Sequence, residues 1–155
     1  MNIRLAEEND LIALARIRGT DAASESHWLY RIAGYYNNTY SPQQAVGERV
    51  IFVAVDDHRI AGFIAGHLTR RYHCGGEIQW IDTIPEYRRR GIANALLQQL
   101  VAWFDARGAK KVCVNCDPGN TIAAAFYRRN GGSPLNEHWF IWENISEIIN
   151  TDHKK

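Results

Sequence analysis

The sequence has almost no charge imbalance. Its 18 lysines and arginines stand against 17 aspartates and glutamates, a formal net charge of +1 at pH 7. A polyanion-binding surface draws on an excess of basic residues, so composition offers no case for a nucleic-acid partner. No apolar run approaches the roughly 20 residues of a membrane-spanning helix. The N-terminus lacks the apolar core of a secretory signal. No membrane partner is expected, and the cytoplasm is the default location. Only three cysteines occur, so they cannot all pair with one another. Cys113-x-x-Cys116 looks like half of a metal or redox motif, but the second half is missing. It falls in a stretch that reads as a strand, where residues three apart point to opposite faces. No metal is expected, and the thiols read as reduced and structural. There are no repeats, no linker and no low-complexity tract.

What remains is a chain of 155 residues, 46% hydrophobic and 23% charged. That suits one domain with a real core, read here as residues 1–145 followed by a polar tail over 146–155. The chain is organised around Glu77 to Ala93. Glu77-Ile78-Gln79-Trp80-Ile81-Asp82-Thr83-Ile84 is rich in β-branched and aromatic residues and reads as a strand. Pro85 ends it. From Ile92 the apolar residues recur at helical spacing: Ile92, Leu96, Leu100, Phe104. Between strand and helix lies Arg88-Arg89-Arg90-Gly91-Ile92-Ala93. The first N–H groups of a helix have no partner within it, and the helix dipole adds positive charge there. With small residues at 91 and 93 a phosphate can approach the backbone closely. The bland alternative is a solvated basic turn.

Arg88-x-x-Gly91-x-Ala93, after a strand that ends in Pro85-Glu86-Tyr87, resembles the coenzyme A site of the GNAT acetyltransferase superfamily. Ala93 stands where glycine is frequent, an accepted alternative. A second match is Asn120-x-x-Ala123-x-x-Phe126-Tyr127, followed by Gly131. The resemblance covers roughly Asn2 to Asn144. It implies an α/β fold: a GNAT-like twisted mixed β-sheet, splayed between the Glu77 and Val112 strands and flanked by helices.

The rest of the chain reads compatibly. Asn2 to Leu5 is an edge strand, Ala6 to Arg18 an amphipathic helix, and Ala22 to Asn38 a second helix. Val50 to Val55 and Ile60 to Thr69 form a hairpin about Asp56-Asp57-His58. The small residues Ala61, Gly62, Ala65 and Gly66 leave room for a helix to pack closely. Val112 to Cys116 is a strand, Asn120 to Arg129 a short helix, and Glu137 to Glu143 a last strand. Its Trp139, Phe140 and Trp142 offer a homodimer contact.

The resemblance also assigns residues. Backbone groups of Ile81, Asp82 and Thr83 are expected to pair with pantetheine. Arg88, Arg89, Arg90, Gly91, Ile92, Ala93 and Asn94 are expected around the pyrophosphate of acetyl-CoA. Asn120 and Ala123 belong to the pantetheine site, and Tyr127 faces the sulfur as a general acid. The other reading of this helix is an N-capping Asn and a packing Tyr. In the family the second helix often walls the acceptor pocket, which brings forward Trp28, Tyr30 and Tyr35, although core packing explains them as well. A free amine has a pKa of about 10.4, so roughly one molecule in a thousand is nucleophilic at neutral pH. A general base would help, and Glu77, eleven positions before Arg88, is the candidate. Strict alternation puts Glu77 on one strand face with Gln79, Ile81 and Thr83, and Asp82 on the other. Other family members carry a base five positions before the helix Asn, where this chain has Asn115. The expected activity is transfer of an acetyl group from acetyl-CoA to a primary amine. A coenzyme A-binding module without turnover is the alternative.

Overall fold

The computed structural model describes residues 1–148. In chain order they form β1 (Asn2–Leu5), α1 (Leu11–Arg18), α2 (Ala22–Tyr36), β2 (Ala45–Asp56), β3 (Arg59–Thr69), β4 (Gly76–Thr83), α3 (Ile92–Ala106), β5 (Val112–Asn115), α4 (Thr121–Arg129), β6 (Ser133–Asn136) and β7 (Trp139–Trp142). Short 3₁₀ turns at Glu8–Asp10, Arg71–His73 and Pro85–Tyr87 complete the connections.

Local chemistry explains most boundaries. Asp21 caps α2 by accepting the Ser24 N–H at 2.8 Å, the favoured N-terminal arrangement. Asp57 and His58, with φ of 48° and 69°, turn β2 into β3 with the left-handed pair that suits strand twist. The first helix begins at Leu11 rather than at Ala6. The reason is Asp10, whose carboxylate accepts the Glu7 N–H at 2.7 Å and a bidentate pair of bonds from Arg4 at 2.7 and 3.1 Å, fixing a separate 3₁₀ turn.

The seven strands form one mixed sheet in the order β1-β2-β3-β4-β5-β7-β6. Only β4 and β5 are parallel, because α3 is the crossover between them. The two faces of the sheet carry separate cores. On one face α3 buries Leu96, Leu97, Leu100 and Phe104 together with Ile64, Ile78 and Val112. On the other, α1 and α2 bury Leu14, Ile32 and Tyr35 against Val53, Phe63 and Trp80. α3 packs closely on β3 and β4: a Cβ at Gly66 would meet Leu100 at 2.9 Å, and one at Gly76 would meet Phe104 at 2.5 Å. Cys113 and Cys116 fall into different clusters, and all three cysteines are free thiols.

The expected last strand is two strands. β6 contains Pro134 and forms the sheet edge, while β7 lies between β5 and β6. Phe140 and Trp142 are buried within the subunit, so the aromatic strand expected to offer a homodimer contact is internal. Ile148 also packs into the core, and the rest of the expected tail, 149–155, lies outside the described residues.

One irregularity decides which side chains meet. β3 pairs with β4 through Phe63↔Asp82, Ala65↔Trp80 and His67↔Glu77 on one face, and through Gly62↔Thr83, Ile64↔Ile81 and Gly66↔Ile78 on the other. The register shifts between Ala65 and Gly66, leaving Gln79 as an extra residue in β4, a β-bulge. Strict alternation therefore fails at Gln79. Glu77, Trp80 and Asp82 share the face toward α1 and α2, and the expectation that Glu77 and Asp82 point apart is corrected.

Candidate active site

β4 and β5 pair only through Gly76↔Val112, Glu77↔Cys113 and Ile78↔Val114. β4 continues to Thr83 while β5 ends at Asn115. Beyond Ile78 the strands part, and the β4 edge faces a cleft of about 1450 Å³. Its unpaired backbone N–H and C=O groups are free to take an extended ligand as an added strand. Ile81, Asp82 and Thr83 line this cleft.

One end of the cleft is the turn into α3. Arg88, Arg89, Gly91, Ile92, Ala93 and Asn94 all line it. Arg89 and Gly91 both adopt left-handed backbone, with φ of 66° and 78°. A Cβ built at Gly91 would meet nothing within 4 Å, so the space over the helix start is open. The turn is braced from below. The Tyr87 hydroxyl donates to Asp56 at 2.7 Å, and Arg59 donates to Glu86 at 2.6 Å. Arg90 departs from the expected set: it does not line the cleft, and its guanidinium lies 5.0 Å over the Tyr87 ring.

The wall opposite β4 is α4. Asn120, Ala123 and Tyr127 line the cleft from it. Asn120 is the N-cap: its Oδ1 accepts the Ala123 N–H at 3.0 Å, leaving its amide NH₂ to other partners. Tyr127 is 4% exposed, with its ring against Phe140 and Trp142. Burial, then the nearby Cys116 and Asp82, push its phenol well above the ordinary value. At neutral pH it therefore keeps its proton.

The remaining side of the cleft is lined by Arg18, Trp28, Arg71, Glu77, Trp80 and Trp139. Glu77 is 4% exposed. Its Oε1 accepts from Arg71 Nε at 3.0 Å and from the Thr69 hydroxyl at 3.3 Å; Oε2 takes neither bond. Asp82 pairs with Arg18, whose guanidinium lies 4.3 Å over the Trp28 ring. Burial raises the Asp82 carboxyl above the usual range, against the pull of Arg18.

Of the three aromatic residues expected at an acceptor pocket, only Trp28 lines the cleft. Tyr30 is 83% exposed, on the outer side of α2, and Tyr35 is fully buried beneath the cleft. Helical spacing sets Tyr30 on the opposite side of α2 but could not separate Trp28 from Tyr35, which are seven residues apart and share one face. Arg18 and Arg71 were missed: Arg18 ends a helix and Arg71 follows Arg70 in a connecting turn, so neither carries a pattern, and only the fold brings them to β4.

The pattern of the Acetyltransferase (GNAT) family matches residues 20–132. The chain belongs to the GNAT acetyltransferase family. Solved structures agree on the fold. The PaiA N-acetyltransferase of Thermoplasma acidophilum, solved with coenzyme A, is 18% identical, with 90% of this chain and 96% of that chain covered and a TM-score of 0.67. An aminoglycoside antibiotic 6'-N-acetyltransferase from Acinetobacter haemolyticus is 21% identical over 88% and 93% of the two chains, with a TM-score of 0.71. An N-acetyltransferase from Staphylococcus aureus is 18% identical over 93% and 98%, with a TM-score of 0.61. Among the described residues of this GNAT protein, no helix is long and apolar enough to cross a membrane.

Proposed function

We propose that this protein transfers the acetyl group of acetyl-CoA to a primary amine of a small molecule or peptide, by direct attack while both are bound. The observation that carries the reading is the parted strand pair, with an open helix start at one end and a buried carboxylate at the other. The residues fit the cosubstrate. The open space over Gly91 and the exposed arginines around it suit a pyrophosphate. The free edge of β4 suits pantetheine amides, with Asn120 facing it across the cleft. Bound there, acetyl-CoA supplies the activated acetyl group.

The chain's own groups then divide the work. Glu77, with one oxygen held by Arg71 and Thr69, accepts the amine's proton. Tyr127, protonated at neutral pH, is the group that hands a proton to the departing sulfur. Trp28, stacked on Arg18, walls the acceptor side. An aminoglycoside N-acetyltransferase among the structural neighbours supports an amine acceptor.

The test is free-thiol release on mixing the protein with acetyl-CoA and a library of primary amines. The expected result is release that needs both a particular amine and the protein. Tight binding of acetyl-CoA with no release for any amine would instead make the chain a coenzyme A-binding sensor or partner module.

A further inference from the structure

The acceptor side of the cleft holds its acids already paired. Glu77 accepts from Arg71 at 3.0 Å, and Asp82 pairs with Arg18. A polycationic acceptor would have to compete with both guanidinium groups for these carboxylates. The arginines are less fully engaged, since a guanidinium carries more donors than one carboxylate can take. Arg71 donates from Nε to Glu77 and from Nη2 to the Gln43 carbonyl at 2.9 Å. Arg18 donates only from Nη1, to Asp82. Among the described residues no acceptor takes its Nη2, and its Nε is buried without a hydrogen-bond partner. A buried donor left unpaired is costly, and in a native fold it calls for an explanation.

Arg18 is also held in place. Its guanidinium lies 4.3 Å over the Trp28 ring and 5.6 Å from the centre of the Trp80 ring. The two indoles and Asp82 fix the plane of the fork before any ligand arrives, which lowers the ordering cost of binding. The edge that Asp82 leaves vacant carries Nη2 and Nε, and two donors on one edge match the two oxygens of a carboxylate. One oxygen on Nη2 sets the other beside Nε, giving that donor the partner it lacks. The place adjoins the chemistry. Burial, then Cys116 and Asp82, raise the Tyr127 phenol, and Arg18 pulls it back. Arg18 therefore acts across the cleft on the group proposed to face the departing sulfur.

We propose that the acceptor is a small-molecule amine that also carries a carboxylate, and that Arg18 is the specificity-determining residue that binds this carboxylate through its Nη2 and Nε edge. The inference rests on the reading of the chain as an amine acetyltransferase, and it narrows the acceptor from amines at large to amino acids. A diamine would place its second cation against Arg18, and an amide would offer a neutral group where a charged one fits.

Two measurements test this on the full chain. The first is thiol release from acetyl-CoA with charge-matched sets: amino acids whose amine and carboxylate lie one to several carbons apart, their primary amides, and diamines of the same length. The best acid should exceed its amide and diamine by at least about tenfold in kcat/KM, as hydrogen bonds to a charged group allow. In Arg18→Gln that ratio should fall to near one, chiefly through the KM of the acid. Acids no better than amides or diamines overturn the inference. So does an Arg18→Gln enzyme that loses kcat alike for acid and amide, the mark of a structural or transition-state role. If Arg18→Gln does not fold with Asp82 left unpaired, the double variant Arg18→Gln, Asp82→Asn removes both charges together and must show the same collapse of the ratio. The second measurement is calorimetry of the same acids and amides on the protein saturated with coenzyme A. An acid that binds, loses its binding in the Arg18 variant and yet gives no thiol release would keep the subsite and sink the acetyltransferase reading. Absence of binding by every acid sinks the subsite, whatever amine is turned over.

Discussion

Gly91→Glu tests the phosphate turn most directly, and its two effects can be worked out separately. Gly91 is the N-cap of α3 with φ 78°. A residue with a Cβ in left-handed backbone costs about 1–2 kcal/mol, and the open space around the position adds no clash. For a domain of this size each kcal/mol lowers Tm by about 2–4 °C, so the variant should melt roughly 2–8 °C lower and still fold. Binding should suffer more. A carboxylate brought within about 4 Å of a phosphate charge, at an effective dielectric near 20, costs about 4 kcal/mol, a factor of about a thousand in Kd. Salt screening reduces this, because the turn is exposed, and a loss of at least about tenfold should survive it. Gly91→Ala is the control: it carries the same backbone strain without the charge. Calorimetry with acetyl-CoA should rank the affinities wild type, Ala, Glu, and the gap between Ala and Glu should shrink with added salt. A folded Gly91→Glu protein with wild-type affinity would refute the placement of the pyrophosphate at this turn.

Three further outcomes follow from the geometry. Tyr127→Phe keeps the ring against Phe140 and Trp142 and removes the proton; turnover by thiol release should fall by roughly 10²–10⁴ while the Kd for acetyl-CoA stays near wild type. Asp10→Asn should cost about 2 kcal/mol in chemical denaturation at pH 7 by breaking the charged bonds to Arg4. Bonding to Arg4 holds the Asp10 carboxyl below its usual range, so its stabilisation is complete above the unfolded value of about 4 and is lost as pH falls through the lower folded value; the gap between wild type and variant should close in acid. Gly66→Val should strongly destabilise the fold, because even the first added carbon meets Leu100 at 2.9 Å with α3 already seated there; a variant melting at the wild-type temperature would contradict that packing.

Much of the fold was legible because its signals are local. The turn from Arg88 to Ala93 and the helix from Asn120 to Tyr127 are runs of neighbouring residues, so their chemistry can be read along the chain. The parallel pair was legible too, since a strand, a helix and a strand in succession leave few other connections. β6 was not. Ser133-Pro134-Leu135-Asn136 has weak strand propensity and a proline, and it is a strand only because β7 offers it an edge. Tyr30 and Tyr35 were assigned to the acceptor pocket from one helical stretch, and packing against β2 and β3 sends one to solvent and the other to the core. The bulge at Gln79 was equally hidden. Nothing in Glu77 to Thr83 marks the extra residue, which exists only as a mismatch between two strands.

That mismatch bears on which carboxylate does the chemistry. With regular alternation Asp82 would face away from Glu77 and drop out as a base. With the bulge both acids stand on the face toward α1 and α2, each paired with an arginine, and burial raises the Asp82 carboxyl, which by itself favours proton uptake. The surroundings separate them. Asp82 holds Arg18, and Arg18 lies over Trp28, so Asp82 supports the wall proposed for the acceptor. Glu77 keeps Oε2 clear of the Arg71 and Thr69 bonds. Asp82→Asn should therefore raise the acceptor KM through a loosened Arg18, with a smaller change in kcat. Glu77→Gln should lower kcat near neutral pH by roughly 10²–10⁴, recovering at high pH where the amine deprotonates unaided. The opposite split, with kcat lost in Asp82→Asn and a wild-type pH–rate profile in Glu77→Gln, would transfer the base to Asp82.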